Sequence, residues 1–238
     1  MPIILYLSLV STCNFIDTLA MEMTIIQKIA IWAIPIIFAI SLHEVAHGWV
    51  ASFFGDQTAR LANRLSLNPL RHVDLVGTII VPLLMLMVSN FIFGWAKPVP
   101  VDERNLRNPR RDMAFVALAG PLTNILMAFA WGGIAKVAIW ATQSGGAWFG
   151  VPLIYMSKAG IMINIVLAVL NFLPLPPLDG SRILSSLLPK RQAYYLNLIE
   201  PYSFIILILL LFTGVLSYIL LPPVFFLIQV IGFTFGLN

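Results

Sequence analysis

Between Ile25 and Leu42 only Gln27, Lys28 and Ser41 interrupt an apolar run, and the run ends in His43-Glu44-Val45-Ala46-His47. A stretch of this length and character predicts a helix in a bilayer, where backbone amides have no partners but each other. Residues four apart share a helix face, so His43 and His47 can point both imidazoles at one metal ion. Glu44, beside the first of them, can take a proton from a water activated there. With three histidines and four glutamates in 238 residues, chance yields such a motif in roughly one sequence in a thousand. Ionisable groups at membrane depth are read as functional by default.

The rest of the chain agrees with a membrane setting. Hydrophobic residues make up 60% and charged residues 10%, against about a quarter charged in soluble domains. No polar stretch approaches the roughly 50 residues of a separate soluble domain. The single cysteine, Cys13, excludes an intramolecular disulfide. The net charge of +4 is no sign of a nucleic-acid partner, because in such a chain Lys and Arg set orientation instead. Apolar segments run over 24–54, 74–94, 113–141, 153–178, 202–220 and 222–236, the last two separated by Pro222-Pro223. Residues 1–20 are apolar but lack a basic n-region and contain Asn14 and Asp17, so they make a poor signal peptide. Two readings stay open for 1–23: an extension upstream of a start at Met21 or Met23, or a weak extra span.

Two histidines do not complete a catalytic zinc site, which takes three protein ligands and a water. Six residues after His47 stands Phe53, and His72 lies in a basic loop. Asp56, Asp74, Asp102, Glu103 and Asp112 sit in or beside loops. Asp179 differs, closing Asn171-Phe172-Leu173-Pro174-Leu175-Pro176-Pro177-Leu178-Asp179-Gly180 after a long apolar segment. Its three prolines break a helix and free backbone groups, which is costly in lipid unless they face a cavity or substrate. The plainer alternative is a surface Asp-Gly turn. Asn124 and Asn171 either bond between helices or hold substrate and oxyanion.

Orientation follows from charge and from depth. Eleven of the 14 basic residues lie in three loops: Arg60, Arg64 and Arg71; Lys97, Arg104, Arg107, Arg110 and Arg111; Arg182, Lys190 and Arg191. The positive-inside rule places all three in the cytoplasm, which a full crossing at 74–94 forbids. The histidines and Asp179 also follow or end their apolar segments, so these two helices must run parallel to meet. Segment 74–94 is therefore expected to be re-entrant, continuing into an edge strand over Trp95-Ala96-Lys97-Pro98-Val99-Pro100-Val101. Prolines at 98 and 100 keep that stretch extended and leave Val99 and Val101 as backbone donors of 98–101. Lys97, Val99 and Val101 are thus candidate substrate-strand residues, with a stiff surface loop as the alternative.

HExxH in a first core helix, Gly120-Pro121-Leu122-Thr123-Asn124 in a later one, and Asn-x-x-Pro-x-Pro-x-x-Asp-Gly closing another resemble the site-2 protease family of intramembrane zinc metalloproteases. The resemblance spans about residues 24–190. It implies one Zn2+ held by His43, His47 and Asp179, with Glu44 as catalytic base. It implies that Asn124 and Asn171 lie near the active site, Asn171 beside the substrate strand. It also implies parallel ligand helices and an active site toward the cytoplasmic side of the cell membrane. The chain has no room for the PDZ or CBS domain of many members and resembles their compact branch.

The expected fold is an all-α polytopic membrane protein with about five to six membrane segments, including the re-entrant hairpin and short edge strand. Its parts are the N-terminal residues 1–23, a catalytic core over 24–190 and C-terminal membrane helices over 191–238. The expected function is hydrolysis of peptide bonds in transmembrane protein substrates within the lipid bilayer. The rival readings are a zinc-binding membrane transporter, which has no need of Glu44, and a non-catalytic relative that binds membrane partners.

Overall fold

The computed structural model describes residues 24–66, 68, 80 and 97–237. Segment 74–94 (apart from Ile80), His72, Trp95 and Ala96 lie outside them. Helix α1 (Ile25–Phe53) opens with a capping box: Thr24 accepts the Gln27 N–H, and the Gln27 side chain accepts the Thr24 N–H. Its 29 residues reach about 43 Å, more than a hydrocarbon core. After the short α2 (Thr58–Leu61) and a 3-10 turn at Glu103–Asn105 come α3 (Pro109–Gln143) and α4 (Ala147–Asn171). The chain closes with α5 (Asp179–Leu187), α6 (Lys190–Asn197), α7 (Ser203–Phe212) and α8 (Val215–Phe235). Among the described residues, five segments are long and apolar enough to span: Ile29–Phe53, Pro109–Gln143, Ala147–Asn171, Lys190–Phe212 and Val215–Phe235. The chain is an all-α, multi-pass membrane protein.

Apolar burial does not drive helices together in lipid, since tails are as apolar as leucine; close packing does. The α3–α4 seam accordingly uses small buried residues, among them Ala135, Ala138, Ala159, Gly160 and Ala168, while Gly132 of α3 meets Ile231 and Phe235 of α8. Trp131 of α3 lies on Gly160 of α4, where a Cβ would overlap the indole. Val224 and Ile231 bring α8 into the same cluster with Ala128, Ile161 and Ile165. Ile26, Phe38, Phe212, Phe226 and Phe233 remain exposed, as lipid-facing side chains should. Trp140 and Trp148 are exposed at the α3–α4 corner, and Tyr194, Tyr195 and Tyr202 at the opposite end. Aromatic side chains therefore mark both ends of the bundle.

Helix directions follow from contacts. His47 meets Val116 while His43 meets Asn124, so α1 and α3 are antiparallel. Asn124 meets Asn164 while Trp131 meets Gly160, so α3 and α4 are antiparallel as well. Helices α1 and α4 are thus parallel, as the ligand depths required. The Arg107 N–H donates to the Phe54 carbonyl at 3.1 Å, so the chain leaving α1 returns to the same end of the bundle before α3. The intervening hairpin expected at 74–94 falls outside the described residues.

Two sequence expectations are corrected. Pro222 and Pro223 do not separate the last two helices; both lie within α8. The break falls at Gly214, whose φ of 74° suits glycine. Each proline removes one backbone bond, but Val224 and Ile231 anchor α8 in the core and keep it continuous. The expected edge strand does not form over its described part: no strand forms among the described residues, and Lys97–Val101 runs without a ladder beside α1. Pro98 and Pro100 have no N–H to donate, and the Val99 N–H is taken by a side chain.

Candidate metal centre

The i, i+4 pair on α1 meets Asp179 where α4 ends. His43 Nε2 and His47 Nε2 lie 3.2 and 3.3 Å from Asp179 Oδ2, and 3.1 Å from each other. Asp179 arrives there because the proline-rich turn ends α4 at Asn171 and α5 restarts at Asp179 itself. The restart is tight: a Cβ at Gly180 would overlap the Phe172 and Leu173 carbonyls, so Asp-Gly here is a packing requirement.

The second nitrogen of each imidazole decides what faces Asp179. His47 Nδ1 lies 2.7 Å from the Val116 carbonyl oxygen, which can only accept, so Nδ1 carries the proton. His43 Nδ1 donates likewise to Asn124 Oδ1 at 2.6 Å. With the rings neutral, both Nε2 atoms then present lone pairs, the ligand tautomer. Asp179 Oδ2 is buried and has no hydrogen-bond donor. Three lone-pair atoms converging this closely repel unless a cation lies between them. Tetrahedral zinc with bonds of about 2.0–2.1 Å calls for ligand separations of about 3.3 Å, so the donor set fits one Zn2+. Among the described residues, this is the one grouping of at least three potential ligands.

Gly120 is a participant that sequence reasoning passed over. A Cβ there would overlap both imidazole rings, so glycine lets α3 close on the metal face of α1. The signal was present in Gly-Pro-x-x-Asn: Gly120 makes the space and Asn124, one turn on, orients His43. Asn124 is fully buried behind that ring and bonds to the Ala39 carbonyl and Asn164. It meets the histidine rather than an open substrate site. Asn171 donates back to the Leu167 carbonyl within α4 at 2.9 Å rather than to any of the three ligands.

Glu44 does not join the ligand cluster; its Oε2 accepts the Val99 N–H at 2.8 Å. Gly48, the next turn of α1, explains the approach, since a Cβ there would collide with Val99, Leu65 and Ala59. Arg64 donates to the Lys97 carbonyl at 2.9 Å and the Pro98 carbonyl at 3.4 Å. Asp56 fastens the following residues, accepting from the N–H groups of Asp102 at 2.8 Å and Thr58 at 3.0 Å and from the Asn105 amide at 3.1 Å. The Thr58 hydroxyl also donates to it. Burial alone would raise the Asp56 carboxyl, but these donors outweigh it and hold the group below the usual carboxylate range.

A helical membrane bundle with a His-His-Asp zinc site defines a membrane metalloprotein, and the comparisons with known proteins specify which. Residues 132–213 match the model of peptidase family M50. "Putative zinc metalloprotease YwhC" of Bacillus subtilis is 38% identical over 193 residues, covering 79% of this chain and 83% of that protein. "Putative zinc metalloprotease Rip2" of Mycolicibacterium smegmatis is 27% identical over 182 residues, 76% of this chain and 66% of that protein. A 69-residue match to "Putative zinc metalloprotease MJ0611" of Methanocaldococcus jannaschii is 39% identical, covering 29% of this chain and 31% of that protein. No solved structure matches significantly. The chain belongs to peptidase family M50, the site-2 protease family, and is a zinc metalloprotease of that family.

Proposed function

We propose that this protease is an intramembrane endopeptidase of the cell membrane, cutting transmembrane segments of other proteins from a site toward the cytoplasm. The observation that carries the reading is the convergence of both Nε2 atoms and Asp179 Oδ2 within a helical bundle. Adjacent to the first ligand, Glu44 holds a carboxylate outside the ligand set. Zinc bound by His43, His47 and Asp179 supplies a Lewis acid for the scissile carbonyl and brings the pKa of water down to about 7.

The chain's own groups do the rest. Glu44 takes one proton from water as its oxygen attacks the carbonyl carbon, then returns it to the amide nitrogen as the C–N bond breaks. The products are a carboxylate and an amine protonated by the second proton of the water, and no other reactant is needed. A substrate helix has its carbonyls bonded internally and must unwind first. Lys97–Val101 supports the unwound strand: the Val101 N–H has no partner among the described residues and can pair with an extended peptide. Asn171, at the end of α4, is assigned to the same substrate path. The basic loops named above support the cytoplasmic assignment.

The test is purified protein in liposomes with a labelled transmembrane peptide. Wild type should cut it, and Glu44→Gln should keep its zinc and lose cleavage. Zinc retained with no cleavage by either protein would favour a transporter or a binding relative.

A further inference from the structure

We infer that Asn164 is a positioning residue of the metal centre, acting through Asn124 to hold His43 in its ligand tautomer. The inference rests on His43 being a metal ligand. Asn164 and Asn124 are both fully buried, on facing helices. Asn164 Nδ2 donates to the Gly160 carbonyl at 2.8 Å, and Asn164 Oδ1 accepts from Asn124 Nδ2 at 3.0 Å. Asn124 Nδ2 also donates to the Ala39 carbonyl at 3.3 Å, leaving Oδ1 for His43 Nδ1 at 2.6 Å.

The direction of this relay is forced from its ends. A carboxamide flipped by 180° exchanges a donor for an acceptor. The Gly160 carbonyl only accepts, so Asn164 must turn Nδ2 toward it and Oδ1 toward α3. Asn124 must then turn Nδ2 toward Asn164, and its oxygen faces the imidazole. Proton placement on His43 is thus set from a backbone carbonyl three hydrogen bonds away. That carbonyl is itself fixed, because Trp131 packs directly on Gly160. Without Asn164, the remaining Asn124 anchor is the longer bond to Ala39. A flip of Asn124 would place an amide donor against His43 Nδ1 and favour the tautomer with its lone pair turned away from Asp179.

A pair of asparagines bonding two helices together explains the same contact without reference to metal, and the experiment separates the two. Asn164→Ser can still donate to the Gly160 carbonyl within its own helix but is too short to reach Asn124. Asn164→Asp, neutral when buried at this depth, can give its O–H to the Gly160 carbonyl and keeps an acceptor oxygen toward Asn124. Zinc affinity is measured by chelator competition on detergent-purified protein, alongside the visible spectrum of the Co2+ form. Asn164→Ser should weaken zinc about tenfold, in the range of partners behind a ligand, and shift the Co2+ bands. Asn164→Asp should recover most of the affinity. In an Asn124→Ala background, Asn164→Ser should cost nothing further. Ser157→Ala, equally buried on α4 and bonded to the Leu153 carbonyl, should leave affinity and spectrum unchanged. Wild-type affinity in Asn164→Ser, or an equal loss in the Asn124→Ala background, overturns the inference. Zinc retained by His43→Ala would instead overturn the ligand assignment on which it rests.

Discussion

The Val99 N–H points at Glu44 Oε2 from 2.8 Å, tying the extended segment before α3 to the carboxylate beside the first histidine ligand. Hydrogen bonds to charged groups are worth about 1.5–3 kcal/mol. The bond fixes where the Glu44 side chain points before any substrate arrives. Val99→Pro removes the donor while keeping the backbone extended. Cleavage of a membrane peptide is expected to fall about tenfold, the rate equivalent of about 1.4 kcal/mol, with zinc content unchanged. Wild-type turnover by that variant would show that Glu44 is aimed by another group.

Gly120→Ala tests how closely α3 must approach the ligand face of α1. The added methyl would overlap both imidazoles, so a gap must open or the rings must turn. Bound zinc, measured by plasma emission after gel filtration, is expected to fall at least tenfold while helix content by circular dichroism stays. Full zinc loading would mean that the helices can separate without losing the site.

His43→Ala, His47→Ala and Asp179→Ala are each expected to abolish stoichiometric zinc, whereas His72→Ala keeps it. Asp179 matters most to this test, since its buried Oδ2 has no other partner. A folded Asp179→Ala protein with one zinc per chain would remove it from the ligand set.

Asp56 sets an acid limit on stability. Its carboxyl is held below the ordinary range, so its contribution is complete above the unfolded value of about 3.9 and is lost as pH falls through the folded one. Asp56→Ala is expected to lower stability by about 1–3 kcal/mol at neutral pH, leaving several donors without their acceptor. Melting curves in detergent should then converge for wild type and variant as pH drops below about 4. A pH-independent gap between them would assign the effect to packing instead.

Ser66→Cys and Asn105→Cys, each in a Cys13-free background, should be labelled from the same side of sealed vesicles. The expectation follows from the Arg107–Phe54 bond, which brings the two flanks of the excursion to one end of the bundle. Labelling from opposite sides would contradict that closure.

Much of this architecture could be read along the chain. Long apolar runs dictate spans, the i, i+4 histidines dictate a shared face, and the proline turn dictates that a helix ends before Asp179. Requiring His43, His47 and Asp179 to share one depth even made α1 and α4 parallel. Those inferences need only local geometry and the cost of unpaired backbone in lipid. Which residues stand behind the ligands was a different matter. Helices that are hydrophobic all round carry no polar face to show which side points inward. Thus Asn124 was legible as a buried amide but not as the partner of His43, Gly120 only as part of a motif, and Asn164 not at all. The same holds for Val99, whose N–H looked free for a substrate until the fold placed it on Glu44. The Pro222-Pro223 break was misplaced because proline weakens a helix locally, while the packing of Val224 and Ile231 against α3 and α4 decides whether it continues. The rotation of each helix about its axis is set by small residues and amide pairs meeting across helices distant in sequence, and only the assembled bundle brings those groups face to face.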